Sequence, residues 1–270
     1  MRQVTSPVMA GAEPFSHQGG PDGVLVLHGF TGNPQSLRPV AEALAAAGHT
    51  VELPLLPGHG TAVEDMVPTR FADWAAAARA AYDDLAARCR QVAVAALSMG
   101  GTLACQLAES DRDVRALVLV NPMVDPPAES FRDVLRGFLT AGIEIAPGVG
   151  SDIAEPGVTE LSYTGSPVAA ALSLFEGVDE VEARLGRIEC PVLLFSSRND
   201  HVVPSSSGDV LVARVSGPVE RVWLERSYHV ATLDYDAKEI QTRTVSFLEG
   251  VFAGRSLAAP SPASSGQAGG

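Results

Sequence analysis

The chain is poor in cysteine, in positive charge and in long apolar runs. Its three cysteines, Cys89, Cys105 and Cys190, are an odd number with no CxxC pair, which excludes a disulfide framework and a zinc knuckle. Reduced, buried thiols are the expectation. Lysine and arginine number 19 against 32 aspartates and glutamates, a net charge of −13. Phosphate backbones would repel such a chain, so nucleic acid is not an expected partner. No run approaches the roughly 18 apolar residues of a membrane-spanning helix. Residues 1–20 hold no apolar stretch of signal-peptide length, and a cytoplasmic location is expected. HExxH, Walker-type and GxGxxG signatures are also missing, so neither a metal nor an organic cofactor is expected.

Apolar residues are plentiful, at 46% of 270, enough for a sizeable core. Residues 1–20 read as an irregular lead-in. Residues 256–270, made of Ser, Ala, Pro, Gly, Leu and Gln without charge, read as a disordered tail. The 21–255 stretch between them reads as one domain of strands alternating with helices. Val24–Leu27 is a continuous apolar run that predicts a strand buried on both faces; Val51–Leu53 is a second strand candidate, Val92–Leu97 the next, Val114–Val120 and Pro191–Ser196 are expected as further buried strands, and Val219–Leu224 as the last. Helices are expected after Asn33, which can cap with Pro34 at the first position, and over Thr69–Arg90, Met99–Glu109 and Ala237–Phe252. This alternation implies a mostly parallel central sheet with helices on both faces. Residues 124–187 break the rhythm with Pro126, Pro127, Pro147, Pro156 and Pro167, and are expected to form a small inserted cap.

Ala96-Leu97-Ser98-Met99-Gly100 falls where an apolar strand meets a helix. A sharp turn there lifts the serine into the open, and small residues two before and two after it let the turn pack. The usual pattern is G-x-S-x-G; here Ala96 stands for the first glycine, a small intrusion. His28-Gly29-Phe30-Thr31-Gly32 ends the first buried strand. That loop brings the Phe30 N–H beside the Met99 N–H, a pair suited to an oxyanion.

A nucleophilic serine needs a base, and the base an orienting acid. Of six histidines, His17 and His49 read as surface residues, His28 as a shaper of the oxyanion loop, and His59 as a tight-loop residue and minor candidate. His201 reads as structural. His229, just past the last strand, is the candidate base, and Asp200, just past strand 191–196, the candidate acid. Asp234 and Asp236 are rival acids better read as caps of the last helix. The order Ser98, Asp200, His229, with gaps of 102 and 29 residues, is that of α/β-hydrolases.

With these residues assembled, the chain resembles the α/β-hydrolase superfamily, and within it the bacterial monoacylglycerol lipases and small carboxylesterases. The likeness runs from about residue 10 to 252 and is carried by Gly11–Phe15, Leu27–Gly32, Gly58–Thr61 with Glu64-Asp65-Met66, Leu97–Leu103, Asp200–Pro204 and Ser227–Asp236. It implies the α/β-hydrolase fold, with Ser98 as nucleophile, Asp200 as acid, His229 as base, and Phe30 and Met99 as oxyanion donors. It also implies that Glu160, which follows Gly150-Ser151-Asp152, helps hold a glycerol moiety, and that Val149 touches the glycerol side of the pocket. The expected substrate is an ester with an aliphatic acyl chain, a monoacylglycerol above all. The alternative is a general short- or medium-chain carboxylesterase or thioesterase with the same triad. A catalytically idle binding scaffold of this fold would be expected to lack a triad member.

Overall fold

The computed structural model describes residues 6–255; the expected disordered tail and the first five residues of the lead-in lie outside them. The strands are β1 (Phe15–His17), β2 (Asp22–Leu27), β3 (Thr50–Leu53), β4 (Gln91–Leu97), β5 (Val114–Val120), β6 (Ile145–Pro147), β7 (Gly165–Pro167), β8 (Val192–Ser197) and β9 (Val219–Leu224). The helices are α1 (Arg38–Ala46), α2 (Val63–Met66), α3 (Phe71–Ala86), α4 (Met99–Ser110), α5 (Glu129–Thr140), α6 (Val168–Glu182), α7 (Ser206–Arg214) and α8 (Ala237–Phe252). Seven strands make one sheet in the order β1-β3-β2-β4-β5-β8-β9. All its pairings are parallel except that of β1 with β3.

Alternation along each strand divides the core into two layers. Leu25, Leu27, Val94, Ala96, Leu117 and Leu119 face the layer closed by α3, α4 and α6. Val24, Val26, Ala95, Leu97, Val118 and Val120 face the one closed by α1 and α8. Both sides of the central strands are therefore apolar, which is why they read as unbroken hydrophobic runs. Asn33 caps as expected, its side chain accepting from Gln35 N at 3.0 Å. The turn it opens is a short 3-10 segment, Pro34–Leu37, that leads into α1.

Three expectations need correction. Phe15–His17, inside the supposed irregular lead-in, pairs antiparallel with β3. Three residues with one half-buried phenylalanine are too few to show periodicity. Helix α3 is shorter than the expected Thr69–Arg90. It starts where the Asp73 carboxylate accepts from Arg70 N at 2.8 Å, and its end leaves Arg90 N to donate to Pro21 O at 2.7 Å, turning the chain into β4. His49 is buried, its ring 5.3 Å from that of Phe252.

From β1 at the sheet edge the chain passes to β2, crosses to β3 on one side, then returns past β2 to β4 on the other. The sheet thus switches direction between β2 and β4. In open α/β sheets the crevice beyond the carboxyl ends of such a pair is where ligands bind. The loops that leave those two ends begin at His28 and Ser98.

Candidate active site

Ser98 adopts φ 56° and ψ −121° between β4 and α4. A non-glycine residue in this region stores roughly 1–3 kcal/mol of strain, and persists only where its surroundings hold it. Here they do: Ser98 N donates to Val120 O at 3.1 Å, and Ser98 O accepts from Gly101 N at 2.8 Å and Met123 N at 3.3 Å. Gly100 has no alternative, because a Cβ there would come within 2.1 Å of Leu27 O. Ala96 is accommodated in the ladder beside Leu27 and Leu119.

The loop after β2 lies directly against the serine; a Cβ on Gly29 would sit 3.2 Å from Ser98 Cβ. Thr31 holds φ 60°, and its carbonyl accepts from Tyr163 N at 3.1 Å. The Phe30 ring packs edge-on to Trp74 and His59, with centroids 5.7 and 6.5 Å away. Trp74 Nε1 in turn donates to Pro57 O at 3.0 Å. His28 Nε2 accepts from Leu56 N at 3.1 Å, so its proton is on Nδ1, which donates to Gly29 O at 3.0 Å. Burial pushes His28 down to about 4 and, with His28 as neighbour, His59 down to about 3. Both are neutral structural rings.

Asp200 occupies the turn after β8. Its Oδ1 accepts from Val202 N and Val203 N, both at 2.8 Å, and its Oδ2 lies 2.8 Å from His229 Nδ1. The two side chains are 2% and 8% exposed. A carboxylate only accepts, so Nδ1 carries the ring proton and Nε2 keeps its lone pair. Burial disfavours the charged imidazole, but the hydrogen bond to Asp200 and the charges of Asp200, Glu160 and Asp152 outweigh it, leaving the His229 pKa above 6.5.

One residue that holds this arrangement, Asn121, was not singled out from the sequence, and two others were given different partners. Asn121, at φ 43° just past β5, donates to His229 O at 2.8 Å and Ser197 Oγ at 2.9 Å, and accepts from Ser197 N at 2.8 Å. It follows Val120, the residue that holds Ser98 N, so Ser98 and His229 share adjacent supports. Its one sequence signal is an amide between a buried strand and Pro122. Asp234 and Asp236 are not side-chain caps of α8. Asp234 accepts from the backbone N–H groups of Ala154, Glu155, Tyr228 and Tyr235 at 2.7 to 3.0 Å. Asp236 accepts from Ser227 N and Oγ at 3.0 and 2.8 Å. They fix the loop that carries His229.

His201 turns to the insertion, its Nδ1 2.9 Å from Asp152 Oδ1. Glu160 lies against the oxyanion loop: a Cβ on Gly32 would come within 2.8 Å of its Oε1, while Glu160 N donates to Ser151 Oγ at 2.9 Å. Burial raises its carboxyl to about 7 against the opposing pull of His229, Ser162 and Ser36. Val149 stands 70% exposed beside Gly150. Among the described residues no cluster of three or more His, Cys, Asp or Glu side chains could hold a metal ion.

A strained serine between β4 and α4, an aspartate after β8 and a histidine after β9 on this sheet define an α/β hydrolase. The profile of the Alpha/beta hydrolase family matches residues 24–240, and the chain belongs to that family. The thermostable monoacylglycerol lipase of Bacillus sp. (strain H-257) is 46% identical over 245 residues, covering 89% of this chain and 96% of that one. A carboxylesterase of Bacillus subtilis (strain 168) is 26% identical over 240 residues, covering 88% and 96% respectively. A solved structure from the metagenome-derived lipolytic enzymes LipS and LipT matches with a TM-score of 0.86 at 39% identity, covering 90% of this chain and 99% of its own.

Proposed function

We propose that this chain, a carboxylic ester hydrolase, cleaves monoacylglycerols to glycerol and fatty acid through an acyl-enzyme on Ser98. The observation that carries the reading is the buried Asp200–His229 pair, 2.8 Å apart, on the sheet edge that also presents the strained Ser98. His229 Nε2 takes the Ser98 proton as Oγ attacks the ester carbonyl. Asp200 holds the ring's tautomer and balances the imidazolium. The N–H groups of Phe30 and Met99 stabilise the oxyanion, a donor of this kind contributing roughly 3–4 kcal/mol. His229 then protonates the departing glycerol, and water repeats the cycle on the acyl-enzyme.

Glu160 supports the choice of alcohol. It is a carboxyl near its midpoint at neutral pH against the oxyanion loop, able to accept from and donate to glycerol hydroxyls, and the relative at 46% identity is a monoacylglycerol lipase. Val149 is assigned to the same glycerol side. Phe131, Val134 and Leu139 on α5 leave apolar surface exposed that suits an aliphatic acyl chain. The three cysteines stand unpaired, which supports a reducing, cytoplasmic setting, and no helix among the described residues is long and apolar enough to cross a membrane.

The test is a series of monoacylglycerols against ethyl esters of equal chain length, with Ser98→Ala as the blank. Preference for glycerol esters, lost by at least about 10⁴-fold in the blank, is expected. Equal turnover of ethyl esters would make the chain a general carboxylesterase. A blank that still turns over would remove Ser98 from the mechanism.

A further inference from the structure

Residues 151–164 cross the molecule between Gly150 and β7 without forming a helix or strand of their own. The backbone groups of such a strap need partners elsewhere, and they find them in the loops of the sheet. Leu161 N donates to Gln35 Oε1 at 2.9 Å, and Leu161 O accepts from Asn33 Nδ2. Ala154 N and Glu155 N donate to Asp234. Tyr163 Oη accepts from Thr61 N and donates to Gly58 O, both at 2.9 Å.

Asp152 is the strap residue whose carboxylate bonds the backbone of His229. Its Oδ2 accepts from His229 N at 3.0 Å and from His201 N at 3.2 Å; its Oδ1 lies 2.9 Å from His201 Nδ1. Its own carbonyl accepts from Val230 N at 3.0 Å. His201 follows Asp200 directly, and its ring packs edge-on to Tyr228 with centroids 4.5 Å apart. One carboxylate, 12% exposed, therefore ties the loop of the acid to the loop of the base. The established pair Asp200–His229 sets the orientation of the imidazole within its plane of bonding; the bond from His229 N to Asp152 fixes where the backbone beneath that imidazole stands.

We propose that Asp152 is a positioning residue for His229, and that the strap carrying it is a fixed wall of the active site which does not lift with any opening of the insertion. This deepens the proposed function and rests on the reading of His229 as the base. Lifting the strap would strip an acceptor from His229 N and Val230 N and release the Asp200 loop. Only the part of the insertion before it, α5 and its flanks, is free to move without dismantling the base.

The charge of Asp152 matters as well as its geometry. The carboxylates facing His229 are Asp200 from the turn after β8, and Glu160 and Asp152 from the strap, with His201 paired to Asp152. All three acids favour the imidazolium. Removing one lets the base stay neutral to lower pH.

The experiment uses the full chain with Asp152→Ala and Asp152→Asn, and His229→Ala as the control on the underlying reading. Steady-state kcat and KM on one monoacylglycerol, the pH profile of kcat/KM and the thermal midpoint are measured for each. For Asp152→Ala, kcat falls about 10²-fold, the usual cost of about an ångström of misplacement, while KM stays within about threefold. Asp152→Asn keeps the shape and one acceptor oxygen, so kcat stays within about fivefold while the acid limb moves to lower pH. A folded Asp152→Ala with unchanged kcat, or a rise in KM alone, overturns the proposal. An unmoved acid limb in Asp152→Asn also overturns it, even where the alanine variant does not fold. Persistent activity in His229→Ala would instead overturn the assignment of the base.

Discussion

Helix α5 and the strap at residues 151–164 belong to the same insertion but are secured differently. The polar groups of α5 bond largely to one another, Arg136 to Glu129 and Asp133. Its main outward tie is Arg132 to Asp179 on α6, itself within the insertion, with Nη1–Oδ2 at 2.5 Å and Nη2–Oδ1 at 2.7 Å. Phe131 and Val134 remain 50% and 55% exposed. The strap, which has no regular structure, is bonded to the loops after β2, β3 and β9 and to the acid turn after β8. Regularity and attachment are thus separate properties: the helix is tied mainly to α6, while the irregular segment is bonded to the loops that carry Asp200 and His229.

The sharpest way to break this contrast is Asp234→Ala. It removes a buried carboxylate acceptor for two strap N–H groups and two of the base loop. With charged hydrogen bonds contributing about 1.5–3 kcal/mol each and not additively, a loss of about 3 kcal/mol in denaturant unfolding is expected, together with at least a tenfold fall in kcat. An unaffected thermal midpoint would mean that the strap is not anchored there. Tyr163→Phe is milder. It leaves Thr61 N and Gly58 O without their phenol partner, about 1–2 kcal/mol, read by the same unfolding experiment.

Acid probes the loops after β2 and β3, to which the strap is bonded. His28 and His59 have folded pKa values of about 4 and about 3, below the 6.5 of the unfolded chain. Below pH 6.5 the unfolded state binds more protons, so the stabilisation these neutral rings provide is present above that pH and lost as pH falls toward 4 and then 3. A thermal midpoint that declines across this window, and declines less in His59→Gln, is the expected outcome. The smallest effect belongs to α5. Val134→Ser should change stability by less than about 0.5 kcal/mol and leave turnover of a short-chain ester within about twofold, altering only the acyl-length profile. A large loss of turnover on short esters would show that α5 is wired to the site after all.

Much of the fold was legible because buried parallel strands announce themselves as apolar runs; β5 and α8 fall where their sequences place them, and so does β9 although Glu220 and Arg221 interrupt its pattern. Ser98, Asp200 and His229 were picked out because each follows an expected strand, and the structure brings Asp200 and His229 within 2.8 Å. Helix α7 was not expected; Ser205–Ser207 and Gly208 at its start are weak helix formers. The structure gives Gly208 its reason: a Cβ there would come within 2.7 Å of Arg221 Nη2 and 2.9 Å of Ser196 Oγ. Asn121, Asp152 and Asp234 escaped for another reason. Their bonding partners include backbone groups distant along the chain, 108 residues away for Asn121 and His229 and 77 for Asp152 and His229, and no local pattern records such a bond. Asp234 and Asp236 stand where helix caps stand, so their local pattern pointed to the wrong partners.

The length of those connections bears on how the molecule assembles. The strap's bonds to Asn33, Thr61 and His229 span 128, 102 and 77 residues, and bonds of that span form only after large loops have closed. The pairings of β2 with β3, β4 with β5 and β8 with β9 close over only about 22 to 27 residues. A refolding chain is therefore expected to regain its sheet and helices before its catalytic competence, passing through a compact species in which the base loop lacks its final support. Activity, on this account, is the last native property to return.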